Sequence, residues 1–292
     1  MATRRVRALA ALGALIAATA SADGPDAALI GRLTGIEPEV SEGVVRVAVP
    51  RSDLAVTVDG VRIEPFQGLT SWAAFTGSGD DVTVMGDLAL TEDQVSPVLC
   101  AALDAGLEVT ALHNHFAFDH PRVMFMHVAG HGGTENLAAG VRKVLDVERG
   151  ARHAPPAAGF GDPPVPAESS LTAASLEAVV GAPGQTAHGM VKFVLARRAT
   201  MHGAEMGAAM GVANWAAFAG APAAALVDGD FAAHEDELQG VLRALCRAGI
   251  HVVAIHGHMT HEEPRVVFLH FWGRGPAVDL ARGIRAALDA QR

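Results

Sequence analysis

Apolar positions in residues 25–34 recur at the spacing of one helix face, and Gly35 stops the run. Polar and apolar residues then alternate over 43–50 and over 55–63, which predicts two strands, the second turning at Asp59-Gly60. Residues 82–90 predict a further strand. Thr91 caps the helix that follows, with Glu92 and Asp93 in the first turn, where the helix dipole favours acids. Val95, Leu99 and Leu103 mark its apolar stripe and Gly106 ends it. Residues 109–116 and 123–128 predict two strands joined by a short polar loop that ends at Pro121. Gly130, Gly132 and Gly133 predict a turn, and residues 137–147 a closing helix. Helix, strands, then strand–helix–strand–strand–helix is an α+β order with a largely antiparallel sheet.

The same order occurs twice. Trp72-Ala73-Ala74-Phe75 returns as Trp215-Ala216-Ala217-Phe218, and from there to Asp146 and Asp289 the copies align without a gap, with 33 of 75 positions identical. Upstream, residues 26–35 resemble 172–181 and residues 44–47 match 190–193, at an offset that implies a short deletion in the second copy. Each unit is about 120 residues, an ordinary domain size. Two units predict a pseudo-twofold pair; a solenoid needs three or more. The expected organisation is a leader over 1–22, one unit over 23–147, a Pro/Ala/Gly-rich linker over 148–170 and a second unit over 171–292.

Three histidines stay in register through the duplication: His113 with His256, His115 with His258, and His127 with His270. A duplicated fold must keep its core, and a core does not need histidine. In the motif His113-Asn114-His115 the two imidazoles fall on one face of a strand, roughly 7 Å apart along it. His127 lies on the next strand and can reach the same face. Three imidazoles with an open fourth position suit Zn²⁺, with Cu or Fe as alternatives. The loop between the strands offers Asp119 and His120 in the first copy and His261, Glu262 and Glu263 in the second. A buried strand histidine is also an ordinary hydrogen-bonding core residue, so a structural role stays open beside the metal reading. Asn114 is replaced by Gly257, which predicts a lost supporting contact and weaker binding in the second copy.

Asp87 and Asp230 follow shared glycines, Gly86 and Gly229; a turn or cap is the expected role, and Asp87 is a weak catalytic candidate beside Glu263. Glu92 and Glu235 are expected at helix starts, and Arg122 and Arg265 in surface ion pairs. Among the recurrent motifs of catalysis, the chain has no Gly-x-Ser-x-Gly turn, no phosphate-cradling loop, no dinucleotide fingerprint and no Cys-x-x-Cys.

Arg4, Arg5 and Arg7 followed by the apolar stretch 8–18 and two small-residue cleavage sites read as a secretory signal, cut near Ala20 or Ala22. The expected location is therefore periplasmic or extracellular. The apolar stretch is too short to span a bilayer, and no later run reaches that length without polar interruption. The formal charge of −10 falls to −13 once the three leader arginines are gone. That balance opposes nucleic-acid binding and favours a small ligand or metal ion as partner. Cys100 and Cys246 lie in equivalent helices at non-equivalent positions, Cys246 aligning with Leu103. Independent buried thiols are the favoured expectation, because cysteine is often a plain core residue; a bridge between the copies in an oxidising compartment is the alternative.

The segments 86–93, 110–115 and 263–272 resemble the LppY/LpqO-like family, a family of unknown function, and the likeness extends over nearly all of the chain past the leader. The resemblance implies export and says little about activity. The chain departs from it in lacking a lipidation cysteine after the leader, and in carrying His256-Gly257-His258 where the family shows His-Asn-His. The leading expectation is an exported metal-binding protein. A metal-dependent hydrolase, in which Asp87 or Glu263 moves protons, is the alternative. A ligand-binding module with structural histidines is the third.

Overall fold

The computed structural model describes residues 24–151, 159 and 164–291. The expected leader and most of the expected linker lie outside them. The first copy runs α1 (Ala27–Thr34), β1 (Glu39–Ser41), β2 (Val44–Pro50), β3 (Thr57–Val58), β4 (Val61–Arg62), β5 (Thr70–Ser78), β6 (Asp81–Thr91), α2 (Glu92–Asp104), β7 (Glu108–His113), β8 (Asp119–His120), β9 (Val123–Gly132) and α3 (Thr134–Ala151). The second repeats this order as α4 (Ala173–Val180), β10 (Gln185–Ala187), β11 (Met190–Ala196), β12 (Ala199–Met201), β13 (Ala204–Met206), β14 (Ala213–Ala221), β15 (Ala224–His234), α5 (Leu238–Arg247), β16 (His251–His256), β17 (Glu262–Glu263), β18 (Val266–Gly275) and α6 (Ala277–Asp289).

Twelve of the strands form one antiparallel sheet in the order β1-β2-β5-β6-β9-β7-β16-β18-β15-β14-β11-β10. The order reads the same from either edge once copies are exchanged, so a pseudo-twofold axis passes between β7 and β16. At that seam Leu112 pairs with Ile255. The α+β tandem fold expected from the sequence is the fold observed.

Alternation along each strand divides the side chains between two faces. Val82, Val84, Leu88, Leu112, Met126 and Val128 face inward in the first copy, and all six helices contribute to the same continuous core. The opposite face is mostly open. It carries two small satellite cores: Val56, Leu69, Ala89, Val123 and Phe125 lie beneath the three-stranded flap β4-β3-β8, and Ala199, Met206, Ala232, Val266 and Phe268 beneath β13-β12-β17.

Several local expectations change. The strand expected over 109–116 ends at His113, so His115 lies in the loop after it, and β9 runs on through Gly130 to Gly132, where a turn was expected, because it pairs with β6 along that length. The strand β5 was not expected, because TSWAAFTGS has few β-branched residues; tertiary pairing with β2 and β6 settles its conformation. The helix α3 continues past Val147 into the stretch expected as linker. Its Glu148 is wholly buried and accepts hydrogen bonds from Arg51 at 2.8 Å and from Ser71 at 2.9 Å, which ties the extra turn to the core. The cysteines are not independent: Cys100 and Cys246 form a disulfide with their Cα atoms 5.9 Å apart. Helices α2 and α5 meet at the pseudo-twofold axis. Residue 100 of one helix therefore faces the counterpart of residue 103 in the other, and the unequal placement of the two cysteines is what allows them to meet. Ser96 with His251 at 2.7 Å, and Gln239 with both backbone groups of Val109, add hydrogen bonds across the same seam.

Candidate metal centre

Register and loop geometry bring each histidine triad together on the open face of the sheet. Ala111 pairs with His127 and His113 with Phe125, so His113 and His127 are diagonal neighbours on one face of β7 and β9. Their Nε2 atoms are 3.0 Å apart. His115 follows β7 in the loop towards β8. Its ring stacks on Phe125 with 3.4 Å between ring centres and 4° between planes. Because Phe125 belongs to the satellite core, that stack holds a loop residue against a rigid support.

The second copy repeats the arrangement. His258 stacks on Phe268 at 3.5 Å and 7°, and the rings of His256 and His270 are 5.3 Å apart, against 5.0 Å for His113 and His127. In both triads one nitrogen from each ring lies within 4.8 Å of the other two. A tetrahedral ion with metal–nitrogen bonds near 2.1 Å sets its ligand nitrogens about 3.4 Å apart, so small side-chain adjustments complete the set.

A carboxylate adjoins each triad. Asp87 pairs in register with His127, and Asp230 with His270, so both acids point to the histidine face. Asp87 Oδ2 is 4.0 Å from His115 Nε2, and Asp230 Oδ2 is 3.9 Å from His270 Nε2. The other oxygen of each carboxylate is buried without a hydrogen-bond partner. Burial pushes both carboxyls above their ordinary value, against the opposing pull of the three neighbouring histidines. Burial likewise pulls His115 and His258 below the ordinary imidazole value and outweighs the adjacent carboxylate. These two rings are therefore neutral near pH 7, the form that offers a lone pair to a metal. His113 Nδ1 lies 3.3 Å from the Asn114 carbonyl; a proton there leaves Nε2 free.

Expectation and structure part over the acids. Asp87 was expected in a turn, yet it lies within β6 beside the triad. The alternation of Val82 and Val84 with outward Thr83 and Met85 carries this information, because it puts residue 87 on the outward face. The glycine before it answers to packing. A Cβ on Gly86 would come within 2.7 Å of the Trp72 carbonyl oxygen, and one on Gly229 within 2.6 Å of the Trp215 carbonyl oxygen. The Gly-Asp pair thus serves both faces of one strand.

Other candidates lie elsewhere. Glu263 is exposed on β17, where it pairs with Thr200 of a flap, and it is not among the residues that converge in either triad. Asp119 accepts a hydrogen bond from Val123 N at 2.7 Å and Glu262 one from Val266 N at 3.3 Å, so both shape their hairpins. His120 and His261 are exposed outside the triads. His131 sits with Asp81 at 3.4 Å on the exposed end of β9. The Arg265 guanidinium lies 3.9 Å from Glu235, the surface pair expected of it. Asn114 supports His113 through its backbone carbonyl, which a glycine also possesses, so the replacement by Gly257 gives no ground for a weaker second site.

The duplication agrees with what comparison with known proteins finds. No curated protein and no solved structure matches the chain. The family model described as Domain of Unknown Function (DUF1259) matches it twice, over residues 28–147 and 174–290, once for each copy, and the chain belongs to that family.

Proposed function

We propose that the protein binds two transition-metal ions, one through His113, His115 and His127 and the other through His256, His258 and His270. The observation that carries this reading is the convergence of three imidazoles beside a buried carboxylate whose second oxygen has no partner, repeated in both copies. A buried carboxylate without a counter-charge is costly, and a cation beside it removes that cost. Three nitrogens with a nearby oxygen suit Zn²⁺ first, then Fe or Cu.

The proposed setting is export to an oxidising compartment. The Arg-rich start with its small-residue cleavage sites and the Cys100–Cys246 bond both support it. Mass spectrometry of the protein from its native cell is expected to show the chain beginning near Ala22, and an intact start at Met1 would contradict export.

A hydrolytic activity is the second reading, favoured by one feature. Asp87 and Asp230 sit beside their triads with carboxyls raised by burial above the ordinary carboxylate value, which sets a proton-accepting group next to each candidate centre. A bound metal would supply Lewis acidity at such a site. The metal reading is tested by calorimetric titration of Zn²⁺ and Cu²⁺ into metal-free protein, with saturation expected at two equivalents. The hydrolytic reading is tested by turnover of ester and phosphoester substrates by the loaded protein; it requires activity that Asp87→Asn together with Asp230→Asn removes while both ions stay bound.

A further inference from the structure

The two triads open on the same face of one sheet, on either side of the seam. Leu112 pairs with Ile255 and both point to the helices. Extending that register by one residue sets His113 opposite Ala254 and His256 opposite Ala111. Alanine pairs with histidine on the outer side too, Ala111 with His127 and Ala254 with His270. Between the triads the floor is thus made of two methyl groups, Ala111 and Ala254, neither of them fully covered. The flaps stand away from it, over Phe125 and Ala89 in one copy and over Phe268 and Ala232 in the other. Each triad straddles one strand pair, β7–β9 or β16–β18, so their centres are two strand spacings apart, about 10 Å.

We propose that the two centres act as one site, in which a linear dicarboxylate lies across Ala111 and Ala254 with one carboxylate at each metal. The proposal rests on the metal reading above. Four features point to this class of ligand. The two centres are equivalent under the pseudo-twofold axis, so a ligand with two like ends suits them. Carboxylate is an ordinary ligand for the ions the triads suit. A separation of about 10 Å exceeds what a single carboxylate or phosphate can bridge with metal–oxygen bonds near 2 Å. The floor between the histidines is apolar, two partly exposed alanine methyls, which fits a methylene chain. The second carboxylate then binds as an intramolecular partner, and the gain depends on a spacer that matches the gap.

The test uses the full, disulfide-bonded protein loaded with zinc, its metal content measured first. Calorimetric titrations compare butyrate with succinate, glutarate, adipate and pimelate. The expected result is an optimum within the dicarboxylate series, at least tenfold tighter than butyrate and with one ligand per chain. His256→Ala with His258→Ala should leave one zinc and abolish both the optimum and the tenfold gain; His113→Ala with His115→Ala should do the same from the other side. Two zinc ions with a flat series, or an optimum that survives loss of either triad, would overturn the bridging proposal alone. Fewer than two zinc ions in the unmodified protein would overturn the metal reading and the bridging proposal together.

Discussion

The Asp87 carboxylate has one oxygen 4.0 Å from His115 and the other buried without a partner, and burial raises its proton affinity. Without a cation the group is a liability at neutral pH. With one it is a ligand or a close counter-charge. Asp87→Asn keeps the shape and removes the charge, so its two effects should have opposite signs. The metal-free protein should be as stable as the unmodified one or more so, by chemical denaturation at pH 7. Zinc affinity in the first copy should fall by about 10- to 100-fold, by calorimetry. An unchanged zinc affinity would remove Asp87 from the site. Protonation adds a second expectation. Folding lowers the proton affinity of His115, His251 and His258 through burial, so the stability they contribute is present above their ordinary value of 6.5 and is lost as pH falls below it. Asp87 and Asp230 act in the opposite sense, with a contribution lost as pH rises through their raised folded values. Asp87→Asn with Asp230→Asn removes the opposing carboxyls, so melting temperatures of that metal-free variant should fall between pH 7 and 5, and a rise there would contradict the partly desolvated, neutral imidazoles. His115 was named from its spacing to His113 on an expected strand, but β7 ends at His113, and the stack on Phe125 rather than a two-residue strand period holds His115 at the triad. Asp87 could not be weighed correctly from residue type alone, since aspartate is a frequent turn residue and only its register with His127 moves it to the site.

The loop that carries His115 and the flap beneath it form a unit. Phe125 is wholly buried in the satellite core and presents its ring face to His115. Phe125→Leu conserves the apolar character and removes the flat support. Stability should drop by about 1 kcal/mol, whereas zinc affinity in the first copy should drop by about tenfold, because a ligand that is no longer oriented must be ordered on binding. Equal zinc affinities in the two copies of that variant would show that the stack does not position the ligand. Of the flap only the Asp59-Gly60 turn, which joins β3 to β4, was legible, since β8 falls in what reads as a polar loop; the capped start of α2 was legible through Thr91, whose hydroxyl accepts from the backbone while Gln94 reaches back. The strand β5 was not legible. Its inward residues are Ser71, Ala73 and Phe75, too small and mixed to set up an alternation, and its conformation follows from the neighbours on both sides.

The two copies join through a single continuous sheet on one side and a disulfide on the other. Cys100–Cys246 closes a sequence separation of 146 residues. Loop-closure entropy for a crosslink of that length reaches about 5 kcal/mol as an upper figure. Cys100→Ser with Cys246→Ser should therefore lower the denaturation midpoint substantially. It should leave zinc stoichiometry unchanged, because the cysteines lie among the helices, on the face of the sheet opposite the histidines. A variant that unfolds at the same denaturant concentration as the parent would show that the seam holds without the bond. The tandem organisation was legible from the repeat offset and the retained histidines. The pairing of the cysteines was not, because it depends on α2 and α5 meeting at the axis, which no local pattern records.

The central claim is that each copy holds one metal ion through its own three histidines. The most direct test is the metal content of untagged protein, by elemental analysis and zinc titration, compared with His113→Ala/His115→Ala and with the same changes at His256 and His258. The account predicts two ions per chain for the parent, one for either double variant and none when both are combined, with nearly equal affinities in the two copies. A parent that binds no transition metal, or a double variant that keeps the parent's stoichiometry and affinity, would contradict it and return the six histidines to a structural role at the hairpins.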